Sequence, residues 1–344
     1  MLKYCISAAV AAVVAFAGAT EALSEDAPPN FVVFLVDDLG YGDIGVFGRK
    51  NISTPNVDAL AHDGLKLTQW ISAAPICTPS RAGLLTGRLA HRFGMTANVL
   101  PWRVFMMPCQ PGGFPPEELT VAEILRDNGG YTTGMSGKWH LGINNLTHKG
   151  AHLPLEHGFD SWLGLPYTNM EACHEGEESA FFCMLMGNHT LIQQPFHAQN
   201  MTSQLTTHSI DFIRNAVARE KPFFLLHSYM HVHTALFSSP AFTNVSEGGP
   251  FGDNVEEMDD SVGQIVRELD ELGIENNTVI FFTSDNGNFA EEGWDKSGRN
   301  GGLTGSKGQT WEGGIRVPGI VRWYAHYLGG MFTPHPLAVA VFGT

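Results

Sequence analysis

The chain has few basic residues for its size. Its 344 residues include 20 Lys and Arg against 35 Asp and Glu, which gives a formal net charge of -15. A protein that binds nucleic acid through its phosphates needs an excess of positive charge, so this balance argues against nucleic-acid binding. Charged residues make up only 16% of the chain and hydrophobic residues 43%, which excludes a disordered protein and allows a sizeable core.

Long apolar runs are missing after the first 24 residues. The apolar run at 6–17 follows Lys3 and is shorter than the ~20 residues that a membrane span needs. Small residues at 17–22 offer cleavage sites, so we expect residues 1–24 to form a secretory signal peptide rather than an anchor. The mature chain is then expected to have no membrane span and to enter the secretory pathway, as a lysosomal or extracellular protein. The 15 His fit an acidic, lysosome-like setting.

Cysteine is scarce, and one of the five cysteines, Cys5, lies in the predicted signal peptide. In an oxidising compartment we expect disulfides, and Cys173 and Cys183 are placed to close a short loop. Six Asn-x-Ser/Thr sequons support a secreted route and are candidate glycosylation sites: Asn51, Asn145, Asn188, Asn200, Asn244 and Asn276.

Short apolar runs alternate with helical patterns along the chain. The runs at 31–36, 223–227 and 278–283 lack strict alternation, as is typical of strands buried on both faces. Helices are predicted at 55–63, 120–128, 201–219 and 253–272, with Thr54 as a cap. The pattern predicts an α/β fold in which helices cover both faces of a mostly parallel sheet.

Oxygen-bearing side chains directly follow two of the predicted strands: Asp37, Asp38, Asp285 and Asn286. Ligands of open α/β sheets bind beyond the carboxyl ends of the strands, so these side chains are expected to converge. Carboxylate and amide oxygens suit Ca²⁺ or Mg²⁺, and calcium is favoured in a calcium-rich secretory compartment. The alternative interpretation of each motif by itself is a solvated turn.

A cysteine introduces the next predicted helix. Residues 76–81, Ile-Cys-Thr-Pro-Ser-Arg, run into a helix-like segment in which Pro79 suits the first turn and Ser80 the capping region. At a helix N-terminus Cys77 meets backbone N–H groups that favour anions, and Arg81 adds a positive charge. The alternative is a buried or disulfide-bonded cysteine.

The motif at 77–81, followed by Leu-Thr-Gly-Arg at 85–88, resembles the signature of the type I sulfatases. Three other blocks are similar to that family as well: 37–43, 130–140 and 283–287. The early half resembles arylsulfatase A, and blocks 230–236 and 311–318 resemble the steroid sulfatase branch. The similarity runs from about 30 to 323. It implies a sulfatase catalytic domain over 25–323 with an alkaline-phosphatase-like fold, a large mixed sheet sandwiched by helices.

The resemblance implies a sulfuric ester hydrolase that acts on aryl or related sulfates, with a small-molecule or carbohydrate sulfate ester as substrate. A formylglycine-generating enzyme is then the maturation partner, and it oxidises Cys77 to formylglycine, the precursor of the nucleophile. Cys77 is therefore expected to stay out of disulfides, which leaves Cys109 without an evident partner. One Ca²⁺ is expected, held by the four oxygen-bearing residues together with the modified Cys77.

The resemblance also implies roles for the remaining site residues. Arg81 stabilises the nucleophile, and Lys138 and Lys307 neutralise the sulfate oxygens. His140 is the expected base, and His233, with Lys307, is the expected acid for the leaving oxygen. Thr168 is expected to approach the substrate.

The resemblance stops before the end of the chain. Residues 324–344 are expected to be a non-matching tail, and the family's smaller C-terminal antiparallel-sheet domain is expected to be missing. Two alternatives remain open: a non-catalytic truncated protein, and a phosphoester hydrolase that shares the metal-site architecture. The second is disfavoured because such relatives use Ser or Thr as nucleophile and two zinc ions.

Overall fold

A computed structural model describes residues 28–96, 111–169, 173, 183–289, 298–324, 331–333 and 337–338. The described strands are β1 Asn30–Val36, β2 Leu65–Leu67, β3 Trp70–Ile71, β4 Thr132–Gly137, β5 Ser161–Gly164, β6 Leu185–Gly187, β7 Thr190–Gln193, β8 Phe223–Ser228, β9 Thr278–Ser284, β10 Gly319–Arg322, β11 Met331–Thr333 and β12 Leu337–Ala338. The described helices are α1 Pro55–His62, α2 Cys77–Thr86, α3 Val121–Gly129, α4 Ala198–Ala218, α5 Gly249–Glu271 and α6 Glu312–Ile315.

One large mixed sheet organises the described residues. Its strand order is β11-β2-β10-β9-β1-β8-β4-β5-β6-β7. The five central strands, from β9 to β5, run parallel, while β10, β6 and β7 add antiparallel pairs at the flanks. The predicted α/β class with a large mixed sheet is confirmed.

The central strand β1 shows why the sheet is covered on both faces. Its residues Val32, Phe34 and Val36 join a core cluster with apolar side chains of α1, α4 and α5. Leu35, which points to the other face, joins a second cluster with side chains of α2 and α3. Because successive strand residues face opposite ways, an apolar run without alternation requires helices on both sides.

The helix α5 follows the predicted periodicity. Val255, Met258, Val262, Ile265 and Leu269 are fully buried in the first cluster. The helix begins at Gly249, four residues before the predicted start, since Pro250 is compatible with a first helical turn.

The expectation that Thr54 caps α1 is confirmed for its position but not for its hydrogen bond. Thr54 stands at the N-cap position, but its hydroxyl makes no capping hydrogen bond and instead accepts from the Gly45 N–H at 2.8 Å. The free N–H groups of the first turn are satisfied by Asp259 of α5, which accepts from Asn56 N at 3.1 Å and Val57 N at 2.8 Å. A carboxylate from a distant helix therefore replaces the local cap.

The stretch predicted as a tail contains two short strands. Residues 331–333 pair in parallel with β2 at the sheet edge, and residues 337–338 pair with β3. The predicted signal peptide, residues 1–24, lies outside the described residues.

Gly137 closes β4 at the point where the chain turns into the polar edge of the sheet. Its φ is +104°, and a Cβ there would lie 1.8 Å from the Ser228 carbonyl oxygen of β8. We expect Gly137→Ala to lower the free energy of unfolding by about 2–5 kcal/mol. The cost of a positive φ for alanine adds to the cost of the clash between its Cβ and the Ser228 carbonyl.

Gly48→Ala is the matched control, because Gly48 has a similar φ of +115° with nothing within 4 Å of the added carbon. Only the backbone strain, about 1–2 kcal/mol, should appear there. Urea denaturation of both variants measures the difference, and equal losses would contradict the clash.

Candidate active site

Four neighbouring parallel strands deliver polar residues to one edge of the sheet. In sheet order β9 leads to Asp285, β1 to Asp37, β8 ends at Ser228, and β4 leads to Lys138. The expected convergence of residues beyond β1 and β9 is therefore seen in the structure, at the edge where α/β proteins bind ligands.

Carboxylates and a thiol form a buried cluster there. Ligand atoms of Asp37, Cys77 and Asp285 all lie within 4.8 Å of one another. The Asp38 N–H donates to Asp285 Oδ1 at 3.2 Å, and Asn286 Nδ2 donates to Asp38 Oδ1 at 2.7 Å. All the oxygen ligands predicted from the sequence are thus brought together.

This cluster fits a hard divalent cation. Asp37 Oδ1 and Asn286 Oδ1 are buried and accept no hydrogen bond. Burial, followed by the charge of Asp37, raises the pKa of Asp285, so the carboxylates repel one another without an added cation. A donor set made mainly of oxygens with unsatisfied atoms suits Ca²⁺ or Mg²⁺ better than zinc.

Arg81 is the central cation of the site. Its Nε and Nη2 bind Asp285 Oδ2 at 2.9 and 2.8 Å, and Nη2 lies 3.4 Å from Asp37 Oδ1. Its Nη1 donates to the Lys138 carbonyl at 3.0 Å and to Ser228 Oγ at 2.7 Å. One guanidinium from α2 therefore contacts residues that follow or end all four strands.

Two lysines complete the charge balance. Lys138 is fully buried and its Nζ lies 2.5 Å from Asp37 Oδ2, while Lys307 Nζ lies 2.7 Å from Asp38 Oδ2. Burial alone would raise the pKa of Asp37, but Lys138 and other nearby cations hold it well below its usual range. Asp37 is therefore ionised, and the site contains as many cationic side chains as acidic ones.

Cys77 is the first residue of α2. The N-cap position belongs to Ile76, whose side chain makes no capping bond, so the expectation that Ser80 lies in the capping region is wrong. Pro79 does lie in the first turn. Burial raises the pKa of the Cys77 thiol to about 12, which keeps it protonated at neutral pH. The Cys77 side chain is therefore buried, free of disulfides and close to the positive end of a helix.

His140 and Asp38 both adopt a backbone conformation that non-glycine residues rarely use, with φ of 61°. The His140 ring is buried and neither nitrogen has a hydrogen-bond partner. Burial, followed by Lys138 and Arg81, lowers its pKa well below the usual value, so the ring is neutral. A neutral imidazole with free nitrogens is able to accept a proton.

His233 and Thr168 lie on two loops at the same edge. His233 Nε2 is 3.8 Å from Asp38 Oδ2, and burial, followed by Lys307, lowers the His233 pKa to about 4. Thr168 follows β5, and its buried hydroxyl has no partner. His231 points elsewhere, with Nε2 3.3 Å from Thr202 Oγ1 and 3.7 Å from Glu257 Oε2.

The sequence interpretation missed two polar residues at this edge. Ser228 links Arg81 to the Lys138 carbonyl, to which it donates at 2.7 Å. Its position directly after the predicted strand 223–227 was a usable signal. Asn169, which follows Thr168, donates to the His233 and Ala235 carbonyls, and nothing in the local sequence indicates that contact.

The structure joins Cys173 and Cys183 in a disulfide, the pair placed to close a short loop. Cys109 lies outside the described residues. Five sequon asparagines are exposed and Asn51 is half-buried. Among the residues that the structure describes, no helix combines the length and hydrophobicity of a bilayer span.

Comparisons with known proteins agree on one family. The family model described as Sulfatase matches residues 29–329. The chain is 38% identical to the steryl-sulfatase of Rattus norvegicus over 375 residues, covering 90% of this chain and 64% of that protein. It is also 38% identical to arylsulfatase A of Homo sapiens, covering 90% of this chain and 62% of that protein. The chain thus spans less than two thirds of the length of these relatives.

Solved structures share the fold of this chain. The crystal structure of the PsFucS1 sulfatase from Pseudoalteromonas sp. superposes with a TM-score of 0.78 at 32% identity, over 91% of this chain and 66% of that one. Ps i-CgsB, solved in complex with k-i-k-neocarrahexaose, gives 0.77 at 29% identity, over 91% and 70%.

The buried position of Arg81 leads to a stability prediction. We expect Arg81→Met, in calcium-free buffer, to cost about 3–5 kcal/mol in the free energy of unfolding, because it leaves buried carboxylates without their partner. Urea denaturation measures the loss.

Arg126→Met is the matched control. Arg126 makes a similar two-bond contact with Asp127, at 2.7 and 3.3 Å, but both side chains are open to solvent. An exposed ion pair contributes little, so the urea midpoint should scarcely move. A comparable loss in both variants would contradict the view that burial makes the Arg81 contact strong.

Proposed function

Because the chain belongs to the sulfatase family, we propose that it hydrolyses sulfate esters to an alcohol or phenol and inorganic sulfate. The observation that carries the proposal is the placement of Arg81, Lys138 and Lys307 around the buried start of α2. Three cationic side chains and a helix N-terminus at one point favour a small anionic group such as a sulfate ester. The acidic chain thus gathers cationic side chains where its substrate needs them, and a bound metal ion would make the charge of the site positive.

The proposed nucleophile comes from Cys77. As a thiol, Cys77 is protonated and weakly reactive, since burial raises its pKa to about 12. We assign its oxidation to formylglycine to a formylglycine-generating enzyme of the secretory pathway, which needs a cysteine that is free of disulfides. Formylglycine supplies the hydroxyl of a hydrated aldehyde as the attacking group.

The proposed cofactor is one Ca²⁺. Asp37, Asp38, Asp285 and Asn286 would hold it together with the modified Cys77, because these groups lie together and two of the oxygens accept no hydrogen bond. When bound, the cation polarises the sulfate oxygens and supports an ionised nucleophile. Calcium fits better than magnesium, which prefers to keep several waters rather than bind many protein oxygens.

Lysines and histidines supply the remaining chemistry of the proposed reaction. Lys138 and Lys307 neutralise the sulfate oxygens, which carry most of the developing charge. We assign to His233, together with Lys307, the proton that goes to the ester oxygen as the S–O bond breaks and its electron pair goes to that oxygen. Burial and Lys307 hold the His233 pKa at about 4 without substrate, and the negative charge of a bound sulfate ester would favour the protonated ring.

His140, neutral and without ring partners, accepts the proton of the second hydroxyl of the hydrate. The aldehyde then re-forms as the C–O bond to the sulfate group breaks, and inorganic sulfate leaves with that electron pair.

The expected substrate is an aryl or related sulfate, and the steryl-sulfatase and arylsulfatase relatives support this class. A carbohydrate sulfate is the other candidate, since a structural relative was solved with a neocarrahexaose. The secretory pathway, with a lysosomal or extracellular destination, is the location that fits the predicted signal peptide and the Cys173–Cys183 disulfide.

Turnover should depend on Cys77. We expect the chain, expressed with a formylglycine-generating enzyme, to hydrolyse a chromogenic aryl sulfate, and Cys77→Ala to lower kcat/KM at least about 1,000-fold. Peptide mass spectrometry checks the conversion, and circular dichroism checks that the variant folds.

Three outcomes would oppose the proposal. Unchanged activity in Cys77→Ala would mean that the nucleophile is wrong. A folded chain that carries formylglycine without turnover would identify a non-catalytic protein. Cleavage of a chromogenic phosphate without sulfate cleavage would identify a phosphoester hydrolase.

Calcium should stabilise the fold even when no substrate is present. At a calcium concentration 100 times the dissociation constant, we expect a gain of about 2.7 kcal/mol and a rise of several degrees in Tm. Thermal denaturation in EGTA and in CaCl₂ measures the shift, which Asp285→Asn should largely remove. A larger shift with MgCl₂ would overturn the choice of calcium, and no shift with either ion would overturn the metal site.

A further inference from the structure

One buried asparagine holds the main chain on both sides of the histidine proposed as acid. Asn169 Nδ2 donates to the His233 carbonyl at 3.1 Å and to the Ala235 carbonyl at 3.2 Å. Its side chain is only 1% exposed, so water does not compete for these bonds. Both amide protons of Asn169 are therefore used on a segment of three residues.

The chain on either side of His233, from His231 to Ser239, is held by other groups. Before His233, Val232 N donates to the Asp37 carbonyl at 2.7 Å, and Asp37 N donates to the His231 carbonyl at 2.7 Å. After it, Glu257 accepts from Ser239 N at 2.9 Å. Asn169 binds the main chain of 233–235 from outside this segment.

The His233 ring depends on that main chain for its position. Its Nδ1 contacts the next carbonyl in the chain, that of Thr234, and its Nε2 lies 3.8 Å from Asp38 Oδ2. The Nδ1 contact is local to the loop, so a shift of the loop moves the ring with it. Proton transfer requires positioning to a few tenths of an ångström, and a displacement of 1 Å costs about 100-fold in rate.

We propose that Asn169 is a positioning residue that sets His233 for proton donation to the leaving oxygen. The role rests on the proposed function, in which His233 is the acid. Asn169 acts through the two main-chain carbonyls and has no part in binding the sulfate group.

Leaving groups of different basicity test this role. The oxygen of an alkyl sulfate leaves as a strongly basic alkoxide unless it receives a proton while the S–O bond breaks. The oxygen of 4-nitrophenyl sulfate leaves as a weakly basic nitrophenolate, which needs that proton much less. Asn169→Asp keeps the shape of the side chain and replaces the donor amide by an acceptor. We expect it to lower kcat about 100-fold for an alkyl sulfate and less than about 3-fold for 4-nitrophenyl sulfate, with KM nearly constant.

A double-mutant cycle separates positioning from loss of structure. If Asn169 acts through His233, adding Asn169→Asp to His233→Ala should cause almost no further loss with the alkyl sulfate. Asn254→Asp is the matched control: Asn254 is a buried asparagine whose amide donates to the Pro250 carbonyl of its own helix at 3.1 Å. For Asn254→Asp, the ratio of kcat on 4-nitrophenyl sulfate to kcat on the alkyl sulfate should equal the wild-type ratio.

Equal losses on both substrates, or losses that add in the His233→Ala background, would overturn the role of Asn169 while leaving the proposed function intact. A formylglycine-bearing wild-type chain without turnover would instead refute the proposed function, and the role of Asn169 with it. Asn169→Ala provides a second variant if the buried aspartate prevents folding, and the same leaving-group ratio is expected for it.

Discussion

The buried guanidinium of Arg81 is the interaction on which the rest of the site depends. It contacts two carboxylates, a main-chain carbonyl and a hydroxyl, and these groups come from four neighbouring strand ends. Each carboxylate would be costly to bury alone, since an unpaired ion loses its hydration without compensation. Because Arg81 belongs to α2, the same contacts also fix where the helix that begins at Cys77 meets the sheet. The charge balance of the site and the position of the proposed nucleophile are therefore set by one residue.

The remaining charges explain how a chain of net charge -15 gathers cationic side chains at the proposed substrate site. Lys138 and Lys307 lie against Asp37 and Asp38, so the cationic groups are held by the carboxylates that would also bind the metal. A bound cation would compete for these carboxylates and leave the lysines freer to contact sulfate oxygens. Asp37 Oδ1 and Asn286 Oδ1 are consistent with that arrangement, because they are buried oxygens that accept no hydrogen bond inside the protein.

Features set by local sequence could be predicted, and features set by contacts between distant segments could not. Asp37 and Asp285 were found because each lies just beyond an apolar run, and neighbouring parallel strands bring such positions together. The helix α5 was found from its period, although its start at Gly249 was not. The cap of α1 came instead from Asp259, some 200 residues away, and Asn169 contacts a loop that lies 64 residues later. Composition near Asn169 carries no trace of that contact, so only the fold reveals it.

His140 shows how the proposed base and nucleophile are linked mechanically. Its φ of 61° is strained for a residue with a side chain, so surrounding bonds must hold it. Its N–H donates to the Pro166 carbonyl at 3.1 Å, and its carbonyl accepts from Thr78 Oγ1 at 2.9 Å. Thr78 is the residue next to Cys77, in the first turn of α2. The bond that helps to hold the strained backbone of His140 therefore also ties the imidazole to the helix start, so that a shift of α2 would move the proposed nucleophile and base together rather than apart.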